Sequence, residues 1–186
     1  MTREALRLVR PGLLMGTLAI LYGFALGAFF GVGEHWLRDG QKEAAEAHIS
    51  VYRSRAVEAA DPEAAAREAM AKTLDSSWRY WLRAHFHAGG IGAVAVVLSL
   101  LLAALPGPRW LRWLGSLLLG VGAAFYPLFW MLAGMRAPAL GSTGAAMESL
   151  AWLAVPSAGA AVAGVVVTLY LVVARLFVGT TDGEAD

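Results

Sequence analysis

Cysteine is absent from this chain of 186 residues, charged residues make up only 16% of it, and no run of basic residues occurs. Without cysteine there is no disulfide framework, no thiol nucleophile and no cysteine-ligated zinc or iron–sulfur site. Lysine and arginine (15) nearly balance aspartate and glutamate (14), for a formal net charge of +1. That balance excludes a nucleic-acid or polyanion surface. Also missing are a glycine-rich phosphate loop, a G-x-S-x-G elbow and an H-E-x-x-H helix, so hydrolytic or group-transfer catalysis has no footing.

What takes the place of charge is apolar sequence. Hydrophobic residues reach 58%, against the roughly 45–50% of soluble domains. They concentrate in four windows without a single charge, residues 11–33, 88–108, 113–135 and 149–174. A helix needs roughly 20 apolar residues to cross a hydrocarbon core about 30 Å thick, and every window is long enough. The fold class expected is all-α: an integral membrane four-helix bundle, one membrane domain over residues 1–186, with short tails.

Arg3, Arg7 and Arg10 precede the first window. That window is longer than a signal-peptide core of about 7–15 residues and no A-x-A-like site follows, so it reads as an uncleaved span. Orientation follows lysine and arginine in short flanks. The N-terminal flank has three arginines, the Pro106-Gly107-Pro108 turn is followed by Arg109 and Arg112, and Arg175 closes the last span. Arg136 is the only cation of the other short connection. Both termini are therefore expected in the cytoplasm, in an inner (plasma) membrane, with residues 34–87 outside. The acidic tail of Asp182, Glu184 and Asp186 contributes little to the rule.

The outer segment reads as helix rather than linker. Asp39-Gly40 is expected to break the chain after the first span, and Asp61-Pro62-Glu63 to restart it, with Asp as cap, Pro in the first helical position and Glu against the dipole. Met70, Leu74, Trp78, Trp81 and His85 follow spacings of 4, 4, 3 and 4 on one helical face. Trp78, Tyr80 and Trp81 suit the membrane–water boundary. An extracytoplasmic helical hairpin between the first two spans is expected, its second arm running into the second span.

Inside lipid, close backbone approach over small residues holds helices together. Gly23, Gly27 and Gly31 form a doubled G-x-x-x-G ladder on the first span, which Gly16 does not extend because Ile20 intervenes. Gly120 with Ala124, and Ala160 with Gly164, give small faces on the third and fourth. Packing within the bundle explains these better than a homo-oligomer does. Pro127 and Pro156 are expected to kink the third and fourth spans.

Candidate chemistry is confined to the boundaries. His35, His48, His85 and His87 all lie in the outer segment or at its borders, and imidazole ligates zinc, copper and haem iron. His85 and His87 are two apart and point about 200° away from each other on a helix, so one ion takes both only where the helix frays, as Gly89-Gly90 would allow. For haem b or copper, His87 is the first candidate ligand, opposite His35, His48, His85 or one of Met131, Met135 and Met147. Arg136 and Glu148 flank the second outer connection and are a candidate ion pair or cation site; a first-turn acid behind Ser142-Thr143 is the simpler reading of Glu148. No window contains a lysine, arginine, aspartate, glutamate or histidine, which leaves a transporter without a pathway. The sequence favours a non-enzymatic accessory or assembly subunit, embedded in lipid and contacting a larger complex through its outer segment. A membrane redox protein and a small transporter are the alternatives.

Overall fold

The chain, described over residues 2–177 in a computed structural model, runs through seven helices: α1 (Arg3–Leu8), α2 (Arg10–Ala47), α3 (Ile49–Arg55), α4 (Pro62–Ala104), α5 (Arg109–Leu140), α6 (Thr143–Glu148) and α7 (Ala151–Phe177). Four of them, α2, α4, α5 and α7, are long and apolar enough to cross a membrane. Their outward faces are apolar, with Phe24 of α2 72% exposed and Val155 of α7 71% exposed. Lipid contact is compatible with such a surface, whereas water leaves it an aggregation liability.

The caps follow local chemistry. Asp61 accepts a hydrogen bond from the Ala64 amide at 3.0 Å with Pro62 in the first turn, so the expected restart is met. At the other end α4 stops at Ala104 because Leu105 precedes Pro106 and is held extended. Gly107 then takes a φ of 140°, open only to glycine. The second span is thus slightly shorter than its apolar window. Arg112 of α5 reaches back and donates to the Leu102 and Ala103 carbonyls, each at 2.7 Å. A residue that reads in the sequence as a topological cation is also the C-terminal cap of α4.

One expectation fails at Asp39-Gly40, where α2 continues unbroken to Ala47. A helical glycine costs only about 1 kcal/mol relative to alanine. Gln41 and Ala45 on the next turn are buried and repay it by packing. Beyond Ala47, α3 folds back so that Ala45, Tyr52, Ala56 and Ala66 form a small core, flanked by Met70 and Leu74 of α4.

The bundle core is small and flat, centred on Ala19, Ala95, Leu102, Leu119, Ala123 and Leu171. The close-approach stripe on α2 is Gly12, Gly16, Ala19 and Gly23, all buried, and not the 23–27–31 ladder read from the sequence. A Cβ on Gly16 would lie 2.9 Å from the Gly92 carbonyl of α4, and one on Gly92 2.8 Å from the Gly16 carbonyl. Gly31 faces open space. The ladder misleads because past Gly23 the contact with α4 is made through side chains, with His85 over Gly27 and Phe30 against Trp78 and Trp81. Pro127 and Pro156 lie inside α5 and α7, and α5 carries a second interior proline, Pro138.

At the arginine-rich end, the amide of Gly12 falls in the first turn of α2, where Val9 offers no side-chain cap. Ser116 of α5 supplies one. Its hydroxyl accepts from the Gly12 amide at 3.0 Å and donates to the Val9 carbonyl at 2.7 Å. Ser99 of α4 lies 3.1 Å away and donates into the remaining lone pair. Both serines are fully buried, and together they join three helices through one saturated oxygen. Ser116→Ala is expected to lower unfolding stability in detergent by about 1–3 kcal/mol, the cost of an orphaned buried amide. Ser99→Ala, which leaves the cap intact, should cost clearly less; equal losses in a denaturant titration would refute the capping role.

Candidate functional site

The most organised polar region lies at the opposite end, where residues 34–87 meet the corner between α5 and α6. Pro138 has no amide hydrogen, so the carbonyl of Gly134 loses its partner four residues on. Ser77 of α4 donates to that carbonyl at 2.5 Å and accepts from the Gln41 side-chain amide of α2 at 2.7 Å. Ser77 is fully buried and Gln41 nearly so. One turn further out, the Tyr52 hydroxyl of α3 donates to the Pro138 carbonyl at 2.7 Å, and Arg55 donates to the Gly141 carbonyl at 2.5 Å. Gly141 closes α5 in the left-handed conformation, φ 62°. Proline and glycine release the carbonyls, and two neighbouring helices, α3 and α4, take them up.

Beside this clamp is a cleft of about 230 Å³ between α2 and α5, lined by Trp36, Leu37, Gln41, Trp81 and Met135 among others. Trp81 is 93% buried by its 7% exposure, whereas Trp36 and Met135 stand 64% and 52% exposed at the rim. The Trp81 indole nitrogen is buried with no hydrogen-bond partner among the described residues, as is that of Trp130. Arg38 stacks over Trp78 at 4.4 Å while pairing with Glu34 at 2.6 Å. The cleft therefore combines one buried aromatic wall, Trp81, with two exposed apolar rim residues.

The histidines are dispersed. His85 donates from Nδ1 to the Gly23 carbonyl of α2 at 2.8 Å and lies over Gly27, whose hypothetical Cβ would fall 2.8 Å from Cε1. Gly27 is thus explained by an imidazole rather than by a backbone. His87 points to α5, donating from Nδ1 to the Arg83 carbonyl at 2.7 Å, its ring 5.3 Å from Tyr126 and 6.0 Å from Trp130. The divergence expected of residues two apart holds, and α4 runs through Gly89-Gly90 without fraying. His48 is exposed and bonded to the Ala44 carbonyl at 2.9 Å; His35 is exposed beside Trp36. Among the described residues no three of His, Asp or Glu are grouped as a metal would require. Met131 and Met147 accept from the hydroxyls of Tyr22 and Tyr80 at 2.9 and 3.4 Å.

Arg136 is directed at the Ser149 hydroxyl, 3.1 Å away. Glu148 is exposed, and the two form no ion pair among the described residues. Glu148 ends α6 rather than starting a helix; the cap behind Ser142-Thr143 is Ser142 itself, accepting from the Ala145 amide at 3.2 Å.

Sequence reasoning missed Gln41, Ser77, Tyr52 and Pro138. The available signal was Pro138 in a helix that continues past it, together with polar residues on otherwise small, buried faces. Burial pushes the Tyr52 phenol above its usual 10.0, with Thr73 and Arg55 opposing. On the exposed side, Arg53 bonds Glu63 at 2.9 and 3.1 Å and holds its carboxyl below the usual range.

A raised phenol pKa means that the Tyr52 contribution is complete below pH 10 and is lost as pH rises through the folded value. Tyr52→Phe should cost about 1 kcal/mol at pH 7, since the Gly141 amide still donates to the Pro138 carbonyl at 3.3 Å. Above pH 10 the two melting curves should converge and cross; a gap that widens with pH would contradict the assignment. Comparison of the chain with known protein families, with curated proteins and with solved structures finds no match.

Proposed function

We propose that the protein is a non-enzymatic accessory subunit of an inner (plasma) membrane complex, with both termini cytoplasmic and residues 34–87 forming an extracytoplasmic helical hairpin that holds a protein partner. One observation carries the reading: the extension is fixed to the bundle by the Gln41–Ser77–Gly134, Tyr52–Pro138 and Arg55–Gly141 bonds. A fixed arm loses less conformational freedom on binding a partner than a free one. At its root, Trp36 and Met135 flank the aromatic cleft, and exposed tryptophan is the residue most enriched among binding hot spots.

The orientation is supported by charge. Thr2, Ala5, Leu105, Arg112 and Arg175 line one shared hollow, and Arg109 pairs with Glu4 of α1 at 2.5 Å. The start of the chain, the α4–α5 turn and the end of α7 therefore share a cation-rich end, which the positive-inside rule assigns to the cytoplasm. Neither the redox nor the transporter alternative gains a supporting observation: His85 and His87 face different helices, and no lysine, arginine, aspartate, glutamate or histidine lies in the four apolar windows.

The absence of cysteine makes a test direct, because single cysteines can be labelled without background. A cysteine replacing exposed Arg67 should react with an impermeant maleimide in intact cells, and one replacing Arg3 only after lysis. A photo-crosslinking residue replacing Trp36 should yield one adduct of defined mass, absent when the same residue replaces Val155. Trp36→Ala should weaken co-purification of that partner at least about tenfold. Labelling in the reverse sense overturns the topology. A Soret band or stoichiometric copper in purified protein, lost in His87→Ala, overturns the accessory role.

A further inference from the structure

Away from the cleft, α4 and α7 leave between them a groove of about 330 Å³ whose surface is wholly apolar. It is lined by Gly90, Ile91 and Val94 of α4, Leu119 of α5, and Ala161 and Val165 of α7, among others. Nothing lies within 4 Å of the position a Gly90 Cβ would take.

The residue above it on the same α4 face is Arg83. Positions 83, 87, 90 and 94 follow spacings of 4, 3 and 4 and so line one side of the helix. Other cations of the outer segment are engaged: Arg38, Lys42, Arg53, Arg67, Lys72 and Arg79 each pair with a carboxylate, and Arg55 holds the Gly141 carbonyl. Arg83 has neither an ion pair nor a side-chain hydrogen bond among the described residues. Its guanidinium rests on the rings of Trp130 and Tyr80, 4.8 and 5.4 Å from their centroids, which leaves its N–H edge open.

We infer that this face is the binding site of one anionic phospholipid, its phosphate on the Arg83 guanidinium and one acyl chain in the groove between α4 and α7. The dimensions agree. Seven residues of helix separate Arg83 from Gly90, about 10 Å along the axis. The headgroup layer adds about 5–7 Å to each side of the hydrocarbon core, and an arginine stem bridges the remainder by snorkelling. A phospholipid brings an apolar chain and an anion at that separation. The inference needs the bilayer and does not depend on the protein partner.

The test uses the full chain, purified in mild detergent after exchange into vesicles of equal phosphatidylglycerol and phosphatidylcholine, and read by native mass spectrometry. Wild type should retain one phospholipid with phosphatidylglycerol in excess. Arg83→Gln should lower that preference on the order of fivefold, the effect of one cation near an anionic surface. Gly90→Leu, which enters open space and removes a helical glycine, should fold normally and lose retention of both lipids. An Arg67→Gln control, outside the groove, should match wild type. The proposal is overturned if wild type retains no lipid, if Arg83→Gln keeps the full preference, or if Gly90→Leu retains lipid as wild type does. A wild-type dimer that Gly90→Leu converts to lipid-free monomers overturns it in favour of a second copy.

Discussion

A backbone amide or carbonyl freed at a helix end or by a proline must find a partner within the protein when no water is at hand, and this requirement organises the molecule. The partners come from neighbouring helices. Ser116 of α5 caps α2, Arg112 of α5 caps α4, Ser77 of α4 takes the carbonyl that Pro138 abandons, and Tyr52 of α3 bonds Pro138 itself. A bond that closes one helix by reaching from another couples secondary structure to tertiary structure. Such helices are complete only when assembled.

This explains the central place of α5. It packs against α2, α4 and α7, supplies caps at the cation-rich end and receives bonds at the other. Its length brings Pro138 and Gly141 to the level of Gln41, Ser77 and Tyr52. The extension beyond the apolar windows is therefore anchored to the bundle at defined atoms rather than tethered to it. Surface ion pairs along α4, such as Lys72 with Glu68, decorate that extension and contribute little to its placement.

Much of the architecture could be read in the sequence because lipid imposes a length and a composition that few other constraints imitate. The four long apolar helices, the Asp61-Pro62 start, the helical character of residues 34–87 and the divergence of His85 from His87 all follow from periodicity and capping chemistry. Register could not be read. Gly23, Gly27 and Gly31 recur as a ladder should, yet only the crossing of α2 with α4 decides which of them meets a backbone. Gly27 accommodates His85, Gly31 meets nothing, and Gly16 enters the contact despite Ile20. Asp39-Gly40 misled for a related reason: a local breaker is outweighed by burial one turn away. The clamp was illegible since its members are dispersed over nearly 100 positions and none is unusual alone.

The dispersion of the histidines bears on what kind of protein this is. A histidine held for ligation keeps a ring nitrogen facing its neighbours in the ligand set. Here the Nδ1 bonds to backbone carbonyls leave Nε2 free, but the two imidazoles nearest in sequence pack on different helices and no three ligating side chains are grouped among the described residues. His85 in particular fills the space left by Gly27, so its burial is accounted for by packing. By contrast, the buried indole of Trp81, the exposed ring of Trp36 and the unengaged guanidinium of Arg83 are features that packing within the chain does not use up. They lie at or just beyond the ends of the apolar windows. Chemistry left over by folding concentrates there.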